Sequence, residues 1–339
     1  MSTENRIIWI DYVRAISCVF VVLLHVSAAY IDKLGQIDKT YWILSDYINS
    51  LTRVCVPLFF MISGYFFFSD KTPKKKNFIK LISSLLFYSL LAYLLYFSTS
   101  YAFPGLSNSI KYTFFEAPAF YHLWFFYPLI GIYIFAQFIK VRGNNILTSV
   151  LFISFIFIFM SKGTSELIDS IFNYNFQSYF SFDGRFIFFL LYAILGAVLS
   201  KVDINSIKIK SSYIVMCIAI LSISVSVLTF NESMLYNKYI DTFHSYTSPL
   251  VFLMSLAFFV LFMSYGNKLK KSKIINVISN NSLGIYGIHA FILAIIQKIF
   301  KYDTMNAFVF IPIIFIITLV LSVVSSMLIK KIDKKNYIS

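Results

Sequence analysis

An arginine and a histidine with ten residues between them stand inside one apolar stretch, residues 7–30, IIWIDYVRAISCVFVVLLHVSAAY. Arg14 and His25 are eleven positions apart, about three helical turns, so a helix would place them on nearly the same face. Asp11 lies one turn before Arg14, close to the same side. A rise of about 1.5 Å per residue separates Arg14 from His25 by roughly 16 Å. They can line one cavity but cannot touch. A charged side chain at the centre of a membrane helix costs roughly 2.5–3.5 kcal/mol on insertion scales. The bland account is a self-neutralising Asp–Arg pair plus a core histidine. Three polar groups on one face favour a functional cavity instead. A histidine that titrates near neutrality can take a proton from a hydroxyl, which makes His25 a candidate general base.

Three further groups could share this chemistry. In NSLTRVCVPLFFMISGYFFF, residues 49–68, Arg53 opens an apolar run and suits either a head-group anchor or a polar cavity. Pro57 bends or breaks the helix there. Ser63 and Gly64 are small enough for close packing or ligand approach, and Tyr65 follows; a plain structural turn explains them equally well. In PAFYHLWFFYPLIG, residues 118–131, His122 and Trp124 read either as an interfacial aromatic cluster or as part of the site. In SNNSLGIYGIHAFIL, residues 279–293, Gly284 and Gly287 permit tight packing, and Tyr286 and His289, one turn apart, could share a polar cavity. His244 falls in a loop with nothing to single it out. The four histidines are too scattered to suggest a metal, and no phosphate loop, nucleophile elbow or zinc spacing occurs.

The elements that must hold these residues are membrane helices. Of 339 residues, 59% are hydrophobic and 13% charged, against about 45–50% and 25% in soluble domains. Ten apolar stretches are candidate spans, roughly 7–30, 54–69, 78–98, 121–139, 146–160, 185–200, 212–230, 248–265, 279–299 and 307–329. Serine and alanines at 27–29 mimic a signal-peptide end, but Asp11 and Arg14 inside the run favour an uncleaved span. Lysines and arginines cluster at 71–80, 140–142, 201–210, 268–273 and 330–335, in alternate loops, while the other loops (31–53, 99–120, 161–184 and 231–247 among them) balance base with acid. The positive-inside rule then puts both termini in the cytoplasm. It also explains the net charge of +14 without nucleic acid. Cys18, Cys55 and Cys217 read as small buried hydrophobes. The expected fold is an all-α polytopic bundle of about ten transmembrane helices in a single domain over 1–339.

These residues carry a resemblance. Arg14 and His25 at their spacing, with WIDYVRAISCVFVVLLH, RVCVPLFFMISGY, FYHLWFF and NSLGIYGIHA in this order, resemble the acyltransferase-3 family of integral membrane acyltransferases. Within it the likeness is greatest to members that O-acetylate enterobacterial common antigen. The resemblance implies about ten membrane helices, acetyl-CoA as acyl donor and no metal. It implies a lipid-linked glycan as acceptor and the bacterial inner membrane as location. His25 and Arg14 match the family's essential pair, and Arg53 a further functional arginine; Asp11, Ser63, Tyr65, His122, Trp124, Tyr286 and His289 are supporting candidates. His25 would act as base or carry the acetyl group. Oligomeric state stays open, a homo-oligomer included. On physical grounds alone the rival is a transporter or flippase for a glycan, since intramembrane Arg and His suit that too. The paired, interrupted half-repeats expected of a transporter are not visible in the sequence.

Overall fold

The computed structural model describes residues 6–69, 71–102, 117–142, 145–172, 184–203, 210–266 and 268–338. Among them the architecture is helical, with no strand. The helices are α1 Ile8–Ile31, α2 Lys39–Thr52, α3 Cys55–Phe67, α4 Lys75–Ala102, α5 Phe126–Phe138, α6 Ile146–Phe159, α7 Lys162–Phe172, α8 Arg185–Leu199, α9 Ser211–Leu235, α10 Pro249–Ser264, α11 Lys273–Asn280, α12 Ser282–Phe300 and α13 Ala307–Ile332. Each of the ten apolar stretches falls on helix. Six helical units are long and apolar enough to cross a membrane: α1, the joined α2–α3, α4 over Lys75–Phe97, α9, α12 and α13. Three shorter apolar helices, α6, α8 and α10, lie among them.

Two expected loops contain helix instead. Most of 31–53 forms α2, and α7 occupies the first part of 161–184. The α2 sequence KTYWILSDYINSLT is too polar to announce a span, yet Trp42, Ser45, Asp46, Asn49, Ser50 and Thr52 are all buried. Its polar residues recur at helical spacing and turn inward, where each needs a partner. Asp38 caps the helix by accepting the Thr40 backbone N–H at 2.7 Å. Much of 99–120, with Asp183 before α8, lies outside the described residues.

Proline fixes the joint between α2 and α3. Pro57 sits in the first turn of α3, so α3 itself is not broken. Its ring excludes the carbonyl of residue i−4, which is Arg53, and the helix interrupts at Arg53 and Val54. The bend expected of Pro57 therefore appears four residues upstream and presents Arg53. A second interruption at Asn281 divides α11 from α12 within the stretch read as one span, 279–299.

Small residues let the helices close on these joints. A Cβ on Gly64 would overlap the Ala193 backbone, and one on Gly196 the Met61 backbone, so α3 and α8 cross nearly backbone to backbone. Gly284 accommodates Ser326 of α13, and Gly287 accommodates Tyr88 of α4. The close packing read from Gly64, Gly284 and Gly287 is present. Cys18 and Cys55 are buried, whereas Cys217 faces outward on α9, contrary to its reading as buried.

Four of the lysine-rich segments share one end of the bundle. Tyr12 of α1 donates to the Lys270 carbonyl at 3.0 Å, and Lys330 Nζ to the Asn280 carbonyl at 3.1 Å. Lys140 Nζ reaches the Phe67 and Lys71 carbonyls, and Ser84 Oγ the Ile338 carbonyl. The N-terminal end of α1 and the C-terminal tail therefore lie together. At the opposite end Lys33 pairs with Asp303 at 3.4 Å.

Candidate active site

The structure gathers most of the sequence candidates along α1, at two levels. At the lysine-rich end, Asp11 is nearly buried and central. Its carboxylate pairs with Arg6, stands 3.5 Å from Arg14 Nη1 and accepts the Ser279 hydroxyl at 2.8 Å. Arg14 also donates to Ser279 Oγ at 3.3 Å. The Asp–Arg pair is real, but one carboxylate between two guanidinium groups leaves net positive charge. Tyr133 of α5 interacts with both Arg14 and Ser63, which brings Ser63 to this level. Lys80 lies within the fields of Arg14, Lys76 and Lys330. Tyr65 stands apart, edge-on to Trp9 at 5.3 Å and tilted against Phe259 at 6.4 Å, among none of the histidines.

Three turns further along α1, His25 meets two more histidines. Its ring lies 5.2 Å from that of His289 and 5.2 Å from Tyr121, and His289 lies 5.3 Å from His122. The scatter of these three along the chain is thus undone by the fold, although no group of three potential metal ligands forms among the described residues. Their proton positions follow from their partners. His289 Nδ1 approaches the Tyr286 and Ile285 carbonyls at 2.7 and 3.2 Å; carbonyls only accept, so Nδ1 carries hydrogen. His122 Nε2 donates to the Gly287 carbonyl at 3.1 Å by the same logic. The other nitrogens, His289 Nε2 and His122 Nδ1, are buried without a partner. Tyr286 donates its hydroxyl to the His122 carbonyl and fixes the 3-10 turn Tyr121–Phe125 against α12.

His25 differs from its neighbours. It is only half-buried, and neither ring nitrogen makes a hydrogen bond among the described residues. The backbone around it is nonetheless firmly held. Asn49 of α2 donates to the Leu24 carbonyl at 3.2 Å and to Ser27 Oγ at 3.3 Å. Trp42 Nε1 donates to the Ile31 carbonyl at 2.9 Å. A fixed helix thus presents an imidazole whose nitrogens are uncommitted.

Arg53 approaches the same level from the α2–α3 joint, near enough for its charge to act on His25. Its guanidinium carbon is 5.9 Å from the Tyr246 ring centre, and Trp124 stacks on that same ring at 5.8 Å and tilts against Phe189 at 5.5 Å. Arg53 Nη2 donates to Tyr239 at 3.2 Å. Tyr239 contacts His244, the histidine that the sequence left unremarked; it is buried between Tyr239, Ser50 and Asp46. The residues missed by sequence reasoning are therefore Tyr121, Ser279, Tyr239, His244, Tyr246 and the inward stripe of α2. The recurrence of Asp46, Asn49, Ser50 and Arg53 at helical spacing beside an apolar run was the available signal.

No curated protein and no solved structure matches the chain. A model of the acyltransferase-3 family, described as an acyltransferase domain, matches residues 7–327 and so takes in Asp11, Arg14, His25, Arg53, His122 and His289. The chain belongs to the acyltransferase-3 family and is a membrane acyltransferase.

Proposed function

We propose that the protein is a multi-pass O-acetyltransferase of the bacterial inner membrane, a single domain of about ten membrane-crossing segments with both termini cytoplasmic. It would move an acetyl group from acetyl-CoA to a sugar hydroxyl of a lipid-linked surface polysaccharide of the enterobacterial common antigen type. The observation that carries this reading is His25: a fixed helix, a half-buried ring and two uncommitted nitrogens. A catalytic base must keep a nitrogen free for its substrate.

The acetyl-CoA phosphates suit the positive level, where Arg14, Lys76 and Lys330 act on Lys80 and Asp333 offsets them only in part. Arg14 holds a phosphate through the N–H groups not used by Asp11 and Ser279, about three turns from the thioester at His25. The acceptor hydroxyl stands at His25. Its oxygen attacks the thioester carbonyl carbon while His25 takes its proton. The C–S bond then breaks, the thiolate leaves, and the imidazolium returns the proton to sulfur. Arg53 anchors the anionic pyrophosphate of the lipid carrier, with Trp124 and Tyr246 as an aromatic wall for the sugar. His122, Tyr286 and His289 keep the wall beside His25 in place, and membrane lipids are the remaining partner.

The test is His25→Ala at matched membrane expression, with O-acetyl groups on purified surface glycan read by NMR. Acetylation should fall by about 100-fold or more, in the range of general-base removal. Undiminished acetylation would sink the proposal. Detergent-purified protein should also bind acetyl-CoA; glycan transport with no acetyl-CoA dependence would instead establish a transporter.

A further inference from the structure

The loop between α9 and α10 holds a hydrogen-bonded chain that ends on Arg53. Arg53 Nη2 donates to the Tyr239 hydroxyl oxygen at 3.2 Å. Arginine has no acceptor, so Tyr239 accepts this bond and its own hydrogen is available for His244 Nδ1, 2.8 Å away. His244 Nδ1 is then the accepting nitrogen, and Nε2–H is left to face Ser50 Oγ at 2.8 Å. Asp46 Oδ1 stands 3.4 Å from Nε2, and the other Asp46 oxygen accepts the Ser226 hydroxyl at 2.5 Å. Asp46 and Ser50 belong to α2, whose last residue adjoins Arg53. The chain therefore leaves α2, crosses to the loop and returns to the end of the same helix.

Each member has one role fixed by its neighbour, so the chain has a direction. His244 is 1% exposed and Asp46, Ser50 and Ser226 are buried, so water does not substitute for these partners. Burial and the nearby Arg53 hold the His244 imidazole well below its usual pKa, which agrees with the neutral tautomer just derived. Meanwhile Arg53 Nε is buried and has no partner. A buried guanidinium N–H costs free energy unless a ligand accepts it. Asp46 and Asp241 act on Arg53 through their charge, yet neither forms an ion pair with it among the described residues, so its free N–H suits an anionic oxygen.

We propose that Tyr239 and His244, the latter braced by Ser50, are positioning residues that hold the Arg53 guanidinium so that its remaining N–H groups donate to a phosphate oxygen of the acceptor's lipid carrier. The inference rests on the acceptor role given to Arg53 above. Tyr239 does not touch the acceptor; it prevents the arginine from turning away. The effect belongs to binding of the acceptor and not to acetyl-CoA or to the proton transfer at His25.

The experiment uses the full chain in proteoliposomes, with labelled acetyl-CoA and polyprenyl pyrophosphate-linked N-acetylglucosamine as acceptor. Tyr239→Phe keeps the ring and removes the hydroxyl. Its acceptor KM should rise about tenfold, the cost of one hydrogen bond to a charged group, with the acetyl-CoA KM unchanged. His244→Leu should do the same, and the double variant should be no worse than either single one, because the two act in series. His244→Asn places an amide oxygen near the Nδ1 position and should restore acceptor KM towards wild type; it also guards against a failure of His244→Leu to fold. Arg53→Ala raising the acceptor KM while Tyr239→Phe and both His244 variants stay silent would overturn the inference alone. Arg53→Ala leaving that KM unchanged would overturn the acceptor role of Arg53 and the inference with it.

Discussion

Arg14 stands inside α1 and Arg53 at the joint of α2 and α3, and the fold holds them in opposite ways. Arg14 has a carboxylate one turn earlier on its own helix, and Asp11 shares itself with Arg6 and Ser279. Arg53 has no ion pair among the described residues; its direct hydrogen bond goes to a neutral phenol, backed by a buried imidazole. The first arrangement is local and redundant, since several groups contribute and one can be lost. The second is long-range and serial, since the contact depends on a loop almost two hundred residues further along the chain. An arginine that shares a carboxylate tolerates exchange of ligand and solvent. A phenol-held arginine, with Asp46 and Asp241 near but not paired to it, keeps N–H groups for whatever binds it.

This contrast sets which substitutions matter and for which substrate. The largest effect after loss of His25 is expected from lysine replacements at the two arginines. Lysine keeps the charge but not the planar fork of donors. Arg14→Lys should raise the acetyl-CoA KM by roughly tenfold or more and leave the acceptor KM near wild type; Arg53→Lys should do the reverse. Steady-state kinetics with each substrate varied in turn would check this. If both variants shift the same KM, the two levels serve one substrate and the comparison collapses.

The next effect is structural and tests how the Arg53 joint is supported. α3 runs from that joint, and Gly64 lets it meet α8 at the Ala193 backbone. Gly64→Ala drives a Cβ into backbone that cannot rotate away. It should cost roughly 1–3 kcal/mol, the range for overpacking, read as a lowered thermal midpoint of the purified protein. Gly184→Ala is the control: the nearest atom to its Cβ is Ile187 Cδ1 at 3.5 Å, and its midpoint should barely move. Equal losses at the two glycines would show that the α3–α8 crossing has room the geometry denies it.

The Arg14 level was legible in the sequence because its logic is local. Asp11, Arg14 and His25 sit on one helix, and helical spacing alone orders them. The helical fold and all ten apolar stretches were legible for the same reason, since length and apolarity are properties of a segment. The Arg53 level was not. α2 buries a polar stripe, so hydropathy reads it as a loop, and only its partners on α1, α9 and the 236–248 loop make burial affordable. His244 carries no motif; its meaning lies in Ser50 and Tyr239, one of them far away in the chain. His122 and His289 were noticed one by one, but their meeting with His25 needed the third dimension. Tyr65 shows the converse: it follows Ser63 and Gly64 in sequence, yet its ring turns to Trp9 and away from the histidines.

The smallest expected effect is the sharpest test of redundancy. Ser279→Ala removes a hydroxyl that both donates to Asp11 and accepts from Arg14. In a serial arrangement this would be as damaging as Tyr239→Phe. At the Arg14 level it should not be, because Asp11 still faces Arg14 directly at 3.5 Å and Arg6 still pairs with Asp11. The loss should stay near one ordinary hydrogen bond, about 1 kcal/mol or less, read as at most a few-fold rise in the acetyl-CoA KM. Asp11→Ala, in contrast, leaves Arg6 and Arg14 facing each other without the intervening carboxylate and should exceed Ser279→Ala severalfold in the same assay. A Ser279→Ala defect as large as that of Asp11→Ala would mean that the hydroxyl, not the carboxylate, orients Arg14. Both arginines would then be held by a neutral oxygen, and the difference between the two levels would reduce to their distance from His25.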